Sequence, residues 1–160
     1  MVPAIVDIEA SGFGVGSYPI EVSVVLSDQS VHCFLISPEE SWVHWDKDAE
    51  ALHGISRKML LEYGRPIREV ADALNRLLLG QTVYSDAWSY DSSWLGKLYD
   101  AADMLQGFRL ETLRVILSER QMAIWESVRL EVLDELKLKR HRASADARII
   151  QVTYGRTLDA

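Results

Sequence analysis

The sequence predicts an α/β fold: a mixed five-stranded sheet flanked by helices. Three observations predict it. Apolar, β-branched runs occupy residues 2–8, 20–26 and 31–36. Apolar residues at helical spacing follow from Pro66 onward. Two short strand-like segments, 81–85 and 110–113, then separate that helical stretch from two more. Three strands first, then helices alternating with strands, is the order of an α/β layered architecture with a mixed sheet.

Each element has a local reason. Residues 2–8 form a buried strand, with Pro3 near its start and glycines beyond its end. Residues 20–26 and 31–36 are separated by Asp28-Gln29-Ser30, a turn composition, so they predict an antiparallel hairpin. Residues 38–47 read as an irregular loop carrying Trp42 and Trp45. A short helix is expected over 56–63, capped by Ser56 and followed by Gly64. Ile67, Val70, Ala71, Leu74, Leu77 and Leu78 share one face, which predicts an amphipathic helix over 66–79 with Pro66 in its first turn. Gly80 precedes the strand 81–85. Residues 91–104 predict a helix with Trp94, Leu95, Leu98 and Ala102 on one side. Residues 110–113 form the fifth strand, 118–136 a long helix, 137–142 a basic loop and 143–154 a last helix. The chain has no internal repeat, low-complexity tract or linker, so residues 1–160 read as one domain.

Composition narrows the class. The 160 residues are 48% hydrophobic and 26% charged, which is the balance of a globular domain and excludes a disordered or collagen-like chain. Cys33 is the one cysteine and cannot form an intrachain bridge, so a reducing compartment fits. Acidic residues interrupt the N-terminal apolar run, unlike a signal peptide. No stretch reaches the roughly 20 apolar residues of a membrane span. A cytoplasmic protein with no membrane partner is expected. The net charge of −7 argues against a large basic face for duplex DNA. It does not exclude a nucleic-acid enzyme, because carboxylates that hold metal ions count as negative while the ions reverse the local sign.

Three constellations carry candidate chemistry. Asp7 and Glu9 stand at i and i+2 of the first strand and therefore point to one face. They read either as two solvated strand-end acids or as a pair that a cation brings together. His141 and Asp146 are five residues apart, about 140° around a single helix. They meet only if His141 lies in the loop and folds back on the helix. Asp91 precedes Trp94-Leu95, an apolar pair that packs its helix down and fixes the direction of the acid. Asp91 also reads as an ordinary helix cap.

Taken together, these residues resemble the DEDDh 3′–5′ exonucleases, a family with a ribonuclease H-like fold. It includes the proofreading subunit of the bacterial replicative polymerase, ribonuclease T and oligoribonuclease. The resemblance rests on Asp7-Ile8-Glu9-Ala10-Ser11-Gly12-Phe13, on Asp91-Ser92-Ser93-Trp94-Leu95 and on His141 to Ala147, in that order. His53-Gly54-Ile55-Ser56 lies in the expected interval. The chain departs from the family in two places. Asp86-Ala87-Trp88-Ser89-Tyr90 replaces the usual Asn-Ala-x-Phe, which makes Asp86 a rival to Asp91. Ala10 stands where a hydroxyl residue is common.

The resemblance implies a metal-dependent 3′–5′ exonuclease acting on single-stranded or frayed 3′ ends of DNA or RNA. It assigns Asp7, Glu9, Asp91 and Asp146 to two divalent metal ions, with Asp7 shared by both. Carboxylate oxygens suit Mg²⁺ or Mn²⁺ better than zinc. His141 becomes the general base, a role for which an unperturbed imidazole, with a pKa of about 6.5, suits neutral pH. His53 is the competing base. Ser11, Gly12, Phe13 and His53 fall near the terminal nucleotide. Phe13 reads as a base-stacking side chain or as a loop anchor. Lys137, Lys139, Arg140 and Arg142 read as a phosphate guide or as a solvated loop. Trp94 and Trp125 are expected in the core. Trp42, Trp45 and Trp88 are expected along a strand channel or a protein interface. His32 and His44 read as structural or surface residues. Family members are often dimers, so a homodimer is compatible. A non-catalytic nucleic-acid or protein-binding module on the same fold is the alternative. Gly12-Phe13-Gly14-Val15-Gly16 is similar to a dinucleotide loop, but a strand follows it where that fingerprint needs a helix.

Overall fold

Apolar side chains alternate along the first strand, and this alternation organises the whole molecule. The computed structural model describes residues 1–158. Its strands are β1 (Ile5–Ala10), β2 (Pro19–Val25), β3 (Val31–Leu35), β4 (Thr82–Ser85) and β5 (Arg109–Thr112). The α-helices among the described residues are α1 (Lys47–His53), α2 (Arg57–Tyr63), α3 (Ile67–Leu78), α4 (Trp88–Ala102), α5 (Glu119–Leu136) and α6 (Ala143–Leu158). The sheet order is β3-β2-β1-β4-β5. β2 runs antiparallel to both of its neighbours, β1 and β3, while β4 runs parallel to both β1 and β5. This is the mixed five-stranded α/β architecture that the sequence predicts.

Val6, Ile8 and Ala10 of β1 point to the larger core, which also contains Ile20, Val22 and Val24 of β2 and the apolar stripes of α3 and α4. Ile5 points to the other side, where Val25, Ala147, Ile150 and Trp125 form a smaller cluster beneath α5 and α6. Asp7 and Glu9 follow Ile5 at a spacing of two, so they share its face. One strand thus contributes apolar residues to one side of the sheet and acids to the other.

Several elements differ from their sequence expectation, each for a local reason. β1 extends to Ala10, so the acids lie within the strand and not at its end. Its register with β2 slips between Glu9 and Ala10, an irregularity of the kind that re-aims a strand end. Residues 47–53 are helical where a loop and an unassigned stretch were expected. Asp46 caps this α1 by accepting from the Asp48 amide at 2.8 Å, and its thin apolar content hides it from periodicity. α4 begins at Trp88, three residues before Asp91. A single 3₁₀ turn, Leu113–Ile116, follows β5. Trp42 is a correction: it is 6% exposed and stacks on Tyr18 at 5.2 Å, so it belongs to the core and lines neither channel nor interface. Trp94 is buried as expected, and Trp125 is half-buried beside α6.

Gly64 closes the junction between α2 and the sheet edge. A Cβ there would stand 2.2 Å from the Leu60 carbonyl oxygen and 2.5 Å from the Ser37 nitrogen. Both neighbours are backbone, and the Leu60 carbonyl also accepts the Gly64 amide at 2.8 Å. Gly64→Ala should therefore destabilise the fold by about 1–3 kcal/mol, the range for overpacking a tight site. Urea unfolding checks this. The midpoint should fall with an unchanged slope, and an unchanged midpoint would show that the junction has room.

Candidate active site

The two acids of β1 open onto a cleft of about 400 Å³ at the C-terminal ends of β1 and β4, where α4 and α6 begin. Its walls include Asp7, Glu9, Gly12, Phe13, His53, Asp86, Tyr90, Asp91, Trp94, Arg129, Arg140, His141 and Asp146. Asp7, Glu9 and Asp146 each place a carboxylate oxygen within 4.8 Å of the others. Asp91 faces the same cleft outside that triangle. It is 1% exposed, and its Oδ2 accepts the Ser85 hydroxyl at 2.5 Å. Asp86 lies exposed on the rim.

The protonation behaviour of this corner follows from crowding. Burial pushes the Asp7 carboxyl well above the usual range, and Asp91, Glu9 and Asp146 add to the shift by repulsion. Glu9 is pushed up to about 8 by burial, then by Asp146 and Glu21. Asp91 is raised to about 7 by burial, against the opposing Ser85 hydrogen bond. Asp146 is raised by burial despite Arg140 and the His141 amide. Asp91 and Asp146 both lie in the first turn of a helix, where the dipole favours an anion. Even so, desolvation and repulsion outweigh that help. All four donors are hard carboxylate oxygens with little positive charge among them. A divalent cation fits this donor set better than any side chain present.

His141 is not part of α6. It adopts a left-handed backbone conformation with φ +61°, and its amide donates to Asp146 Oδ2 at 3.0 Å. The loop therefore folds back as the pair requires. His53 sits on the opposite wall at the end of α1 and is 2% exposed. Its Nδ1 accepts the Ile55 amide at 3.0 Å, and its buried Nε2 has no hydrogen-bond partner among the described residues. Burial lowers its pKa, and because Nδ1 accepts from Ile55, the neutral ring carries its proton on Nε2. Trp45 packs edge-on against this ring at 6.3 Å and donates its indole N–H to Glu50 at 2.5 Å.

Residues 11–13 divide their roles. Ser11 is fully buried and does not line the cleft. Its Oγ contacts His44 Nδ1 at 2.9 Å and accepts the Tyr18 amide at 3.1 Å. His44 thus has a partner that sequence spacing could not show. Gly12 has φ +153°, and a Cβ there would meet Asp46 Cβ at 2.6 Å and His44 Cε1 at 2.8 Å. Its smallness lets the 42–46 segment close against the loop. Phe13 is 62% exposed and meets Tyr90 edge-on at 5.1 Å. Tyr90 stacks on Trp94 at 5.8 Å, completing an aromatic wall. Trp94 Nε1 and Lys97 Nζ hold this loop to α4 through Ser17 and Gly16.

Sequence reasoning missed three residues. Tyr90 adjoins Asp91 in the chain, so its proximity was available as a signal. Arg129 reaches the cleft from α5, held by Glu126 at 2.6 Å, and no spacing rule points to it. Glu21 is a fully buried acid in the mostly apolar run of β2, which is itself a signal. It binds Arg142 at 2.6 Å. Arg142 is therefore engaged in the fold and is not a free member of the basic loop, while Arg140 approaches Asp146 Oδ1 at 3.8 Å.

No protein-family model and no curated protein sequence matches the chain. Solved structures do. E. coli Exonuclease I in complex with a dA16 oligonucleotide matches with a TM-score of 0.66 at 13% identity, over 98% of this chain and 42% of that one. A moderately thermophilic Exonuclease I from Methylocaldum szegediense matches with a TM-score of 0.69 at 14% identity, over 97% and 39%. The zinc-bound form of the E. coli ExoI–ssDNA complex matches with a TM-score of 0.68 at 12% identity, over 98% and 41%. The chain therefore has the ribonuclease H-like α/β fold of these exonucleases and spans about two-fifths of their length.

The raised carboxyl pKa values set a stability window. In the unfolded chain these groups titrate near 4. The folded state consequently holds more protons between about pH 4 and pH 8, and stability falls as pH rises through that window. In chelator, Tm should drop from about pH 5 to about pH 8 as the crowded carboxyls ionise. Millimolar Mg²⁺ or Mn²⁺ should restore Tm most at the upper end, because the ion binds only the folded site. A flat Tm in chelator together with no response to either ion would count against the cluster as a cation site.

Proposed function

We propose that this chain is a metal-dependent 3′–5′ exonuclease domain over residues 1–160. Its substrates are single-stranded or frayed DNA or RNA ends, and its products are nucleoside 5′-monophosphates. One observation carries the reading. Three carboxylates from β1 and α6 converge in a cleft, beside a histidine whose own amide is tied to one of them. A DEDDh-type site requires that convergence of distant residues, and a surface cluster of acids does not supply the histidine. The likeness to Exonuclease I folds supports the same reading.

Two divalent ions, Mg²⁺ or Mn²⁺, would stabilise the attacking and leaving oxygens of the displaced phosphodiester. Asp7, Glu9 and Asp146 would hold them from one side and Asp91 from the other. Asp91 is favoured over Asp86 because it is buried and oriented by Ser85, whereas Asp86 is exposed on the rim. His141 takes the proton of the attacking water on a ring nitrogen, and its half-exposed position lets that proton leave to solvent. His53 offers its Nε2–H as a donor to a sugar oxygen of the terminal nucleotide. Phe13 and Tyr90 present exposed ring faces and edges to the terminal bases, a contact that tolerates any sequence. Gly12 lets the 42–46 segment close against the loop that carries Phe13. Lys139 and Arg140 supply positive charge for the backbone.

Digestion of oligonucleotides labelled at the 3′ or 5′ end tests this. With Mg²⁺ or Mn²⁺ the wild-type chain should shorten substrates from the 3′ end and leave circular single strands intact. Asp7→Ala and Asp146→Ala should each cost about 10²- to 10³-fold in kcat, matching the several kcal/mol that a bound ion supplies. His141→Ala should cost about 10²- to 10⁴-fold. Asp91→Asn should be impaired far more than Asp86→Asn. Absence of 3′ shortening by the wild type, or full activity in Asp7→Ala, would overturn the proposal. Oligonucleotide binding without hydrolysis would favour a binding module.

A further inference from the structure

Glu21 is a fully buried carboxylate in the middle of the sheet, and the proposed chemistry does not use it. It lies opposite Glu9 in the β1–β2 ladder, so both acids point to the same face. Arg142 grips it with Nε at 3.1 Å from Oε1 and 3.2 Å from Oε2, and with Nη2 at 2.6 Å from Oε2. Oε1 also accepts the Ala143 amide at 2.8 Å, which anchors the first turn of α6. Two further bonds complete the corner. The Asp146 amide donates to the Arg142 carbonyl at 3.0 Å, and the His141 amide donates to Asp146 Oδ2 at 3.0 Å. One peptide separates His141 from the guanidinium that is bolted to the sheet.

We propose that Glu21 and Arg142 are positioning residues: together they fix the left-handed turn of His141 over the carboxylate cluster. This inference rests on the nuclease reading of the same cleft. Two arguments favour positioning over plain stability. Glu21 is buried while Arg142 is about one-third exposed, and desolvating the carboxylate offsets much of the attraction, so the pair is a poor way to stabilise a strand. A valine at position 21 would face α6 and pack there as Val25 does. The pair also separates two neighbouring acids by role. Arg142 engages Glu21, and Glu9 stays free for a cation.

The test uses Arg142→Met, Glu21→Gln and the double variant. Gln keeps an acceptor for the Ala143 amide, and the double variant replaces the ion pair with a neutral one. Readouts are Tm, Mn²⁺ affinity by calorimetry, kcat and KM separately, and the His141 imidazole resonances at fixed pH. Arg142→Met should lower kcat about 10- to 100-fold, the effect of displacing a catalytic group by about an ångström. KM and Mn²⁺ affinity should stay within about threefold. The double variant should regain Tm without regaining kcat. Recovery of kcat together with Tm, an unaffected kcat in Arg142→Met, or loss of Mn²⁺ binding in parallel with kcat would each overturn the proposal. Should the wild type show no 3′ shortening, the nuclease reading fails on its own. The His141 resonances then still decide: displacement in Arg142→Met supports positioning, and coincidence with wild type overturns it.

Discussion

Carboxylates forced together out of water set the electrostatics of the cleft. Asp7, Glu9, Asp91 and Asp146 all face one cleft, and each has its pKa raised first of all by burial. Repulsion between like charges a few ångströms apart is large when little solvent screens it. The nearest cationic groups do not neutralise the cluster. Arg142 is engaged by Glu21, Arg129 by Glu126, and Arg140 only approaches Asp146. A fold that held these acids for stability alone would be poorly built. The same arrangement is well built for a small, doubly charged cation, which relieves repulsion at every carboxylate at once.

The scaffold can bear this cost because it keeps the two faces of β1 apart. Val6, Ile8 and Ala10 sit in the larger core with α3 and α4, and that burial stabilises the strand independently of the acids. The slip in register after Glu9 lets the chain turn away toward Ser11, whose buried hydroxyl ties the loop to His44 and Tyr18. α4 and α6 then bring their first turns to the same strand ends. Parallel pairing of β1 with β4 makes this possible, because both strands end at one edge and the helix after β4 starts there. The site is therefore a consequence of topology, with the acids occupying the edge where strand ends and helix starts meet.

The sheet and the main helices were legible in the sequence because they rest on local apolar patterns. The β-branched runs gave β1 to β3, and the 3.6-residue stripe from Ile67 to Leu78 gave α3 within a residue or two. The candidate site residues came from a family resemblance, with the i, i+2 spacing of Asp7 and Glu9 as the one geometric hint from the chain itself. What stayed hidden depends on which elements meet. α1 has too few apolar residues to show a stripe and owes its start to the Asp46 cap. Trp42 looked like a loop residue, but Tyr18 from a distant segment covers it. Ser11 sits in the motif like a substrate contact, yet its side chain turns inward. Arg129 reaches the cleft only because α5 packs beside α6. Glu21 was the readable signal that went unread, since a carboxylate inside Pro-Ile-Glu-Val-Ser-Val-Val demands a partner wherever the strand is buried on both faces.

The two cleft histidines can be told apart by where their protons sit. A general base must present an unprotonated nitrogen to the water it activates and afterwards lose the proton it gained. In His53 the Ile55 amide already occupies the lone pair on Nδ1, so neutral His53 holds its proton on Nε2 and offers the cleft a donor. Gaining a second proton would cost Nδ1 that hydrogen bond and place a charge in a pocket that already depresses the pKa. His141 is held differently. Its backbone, and not its ring, makes the bond to Asp146, and its side chain is half-exposed at the cleft wall. In the proposed reading, the ring would take the proton of the water and pass it to solvent. Under the proposed nuclease reading, His141 is therefore the acceptor of the proton and His53 a hydrogen-bond donor.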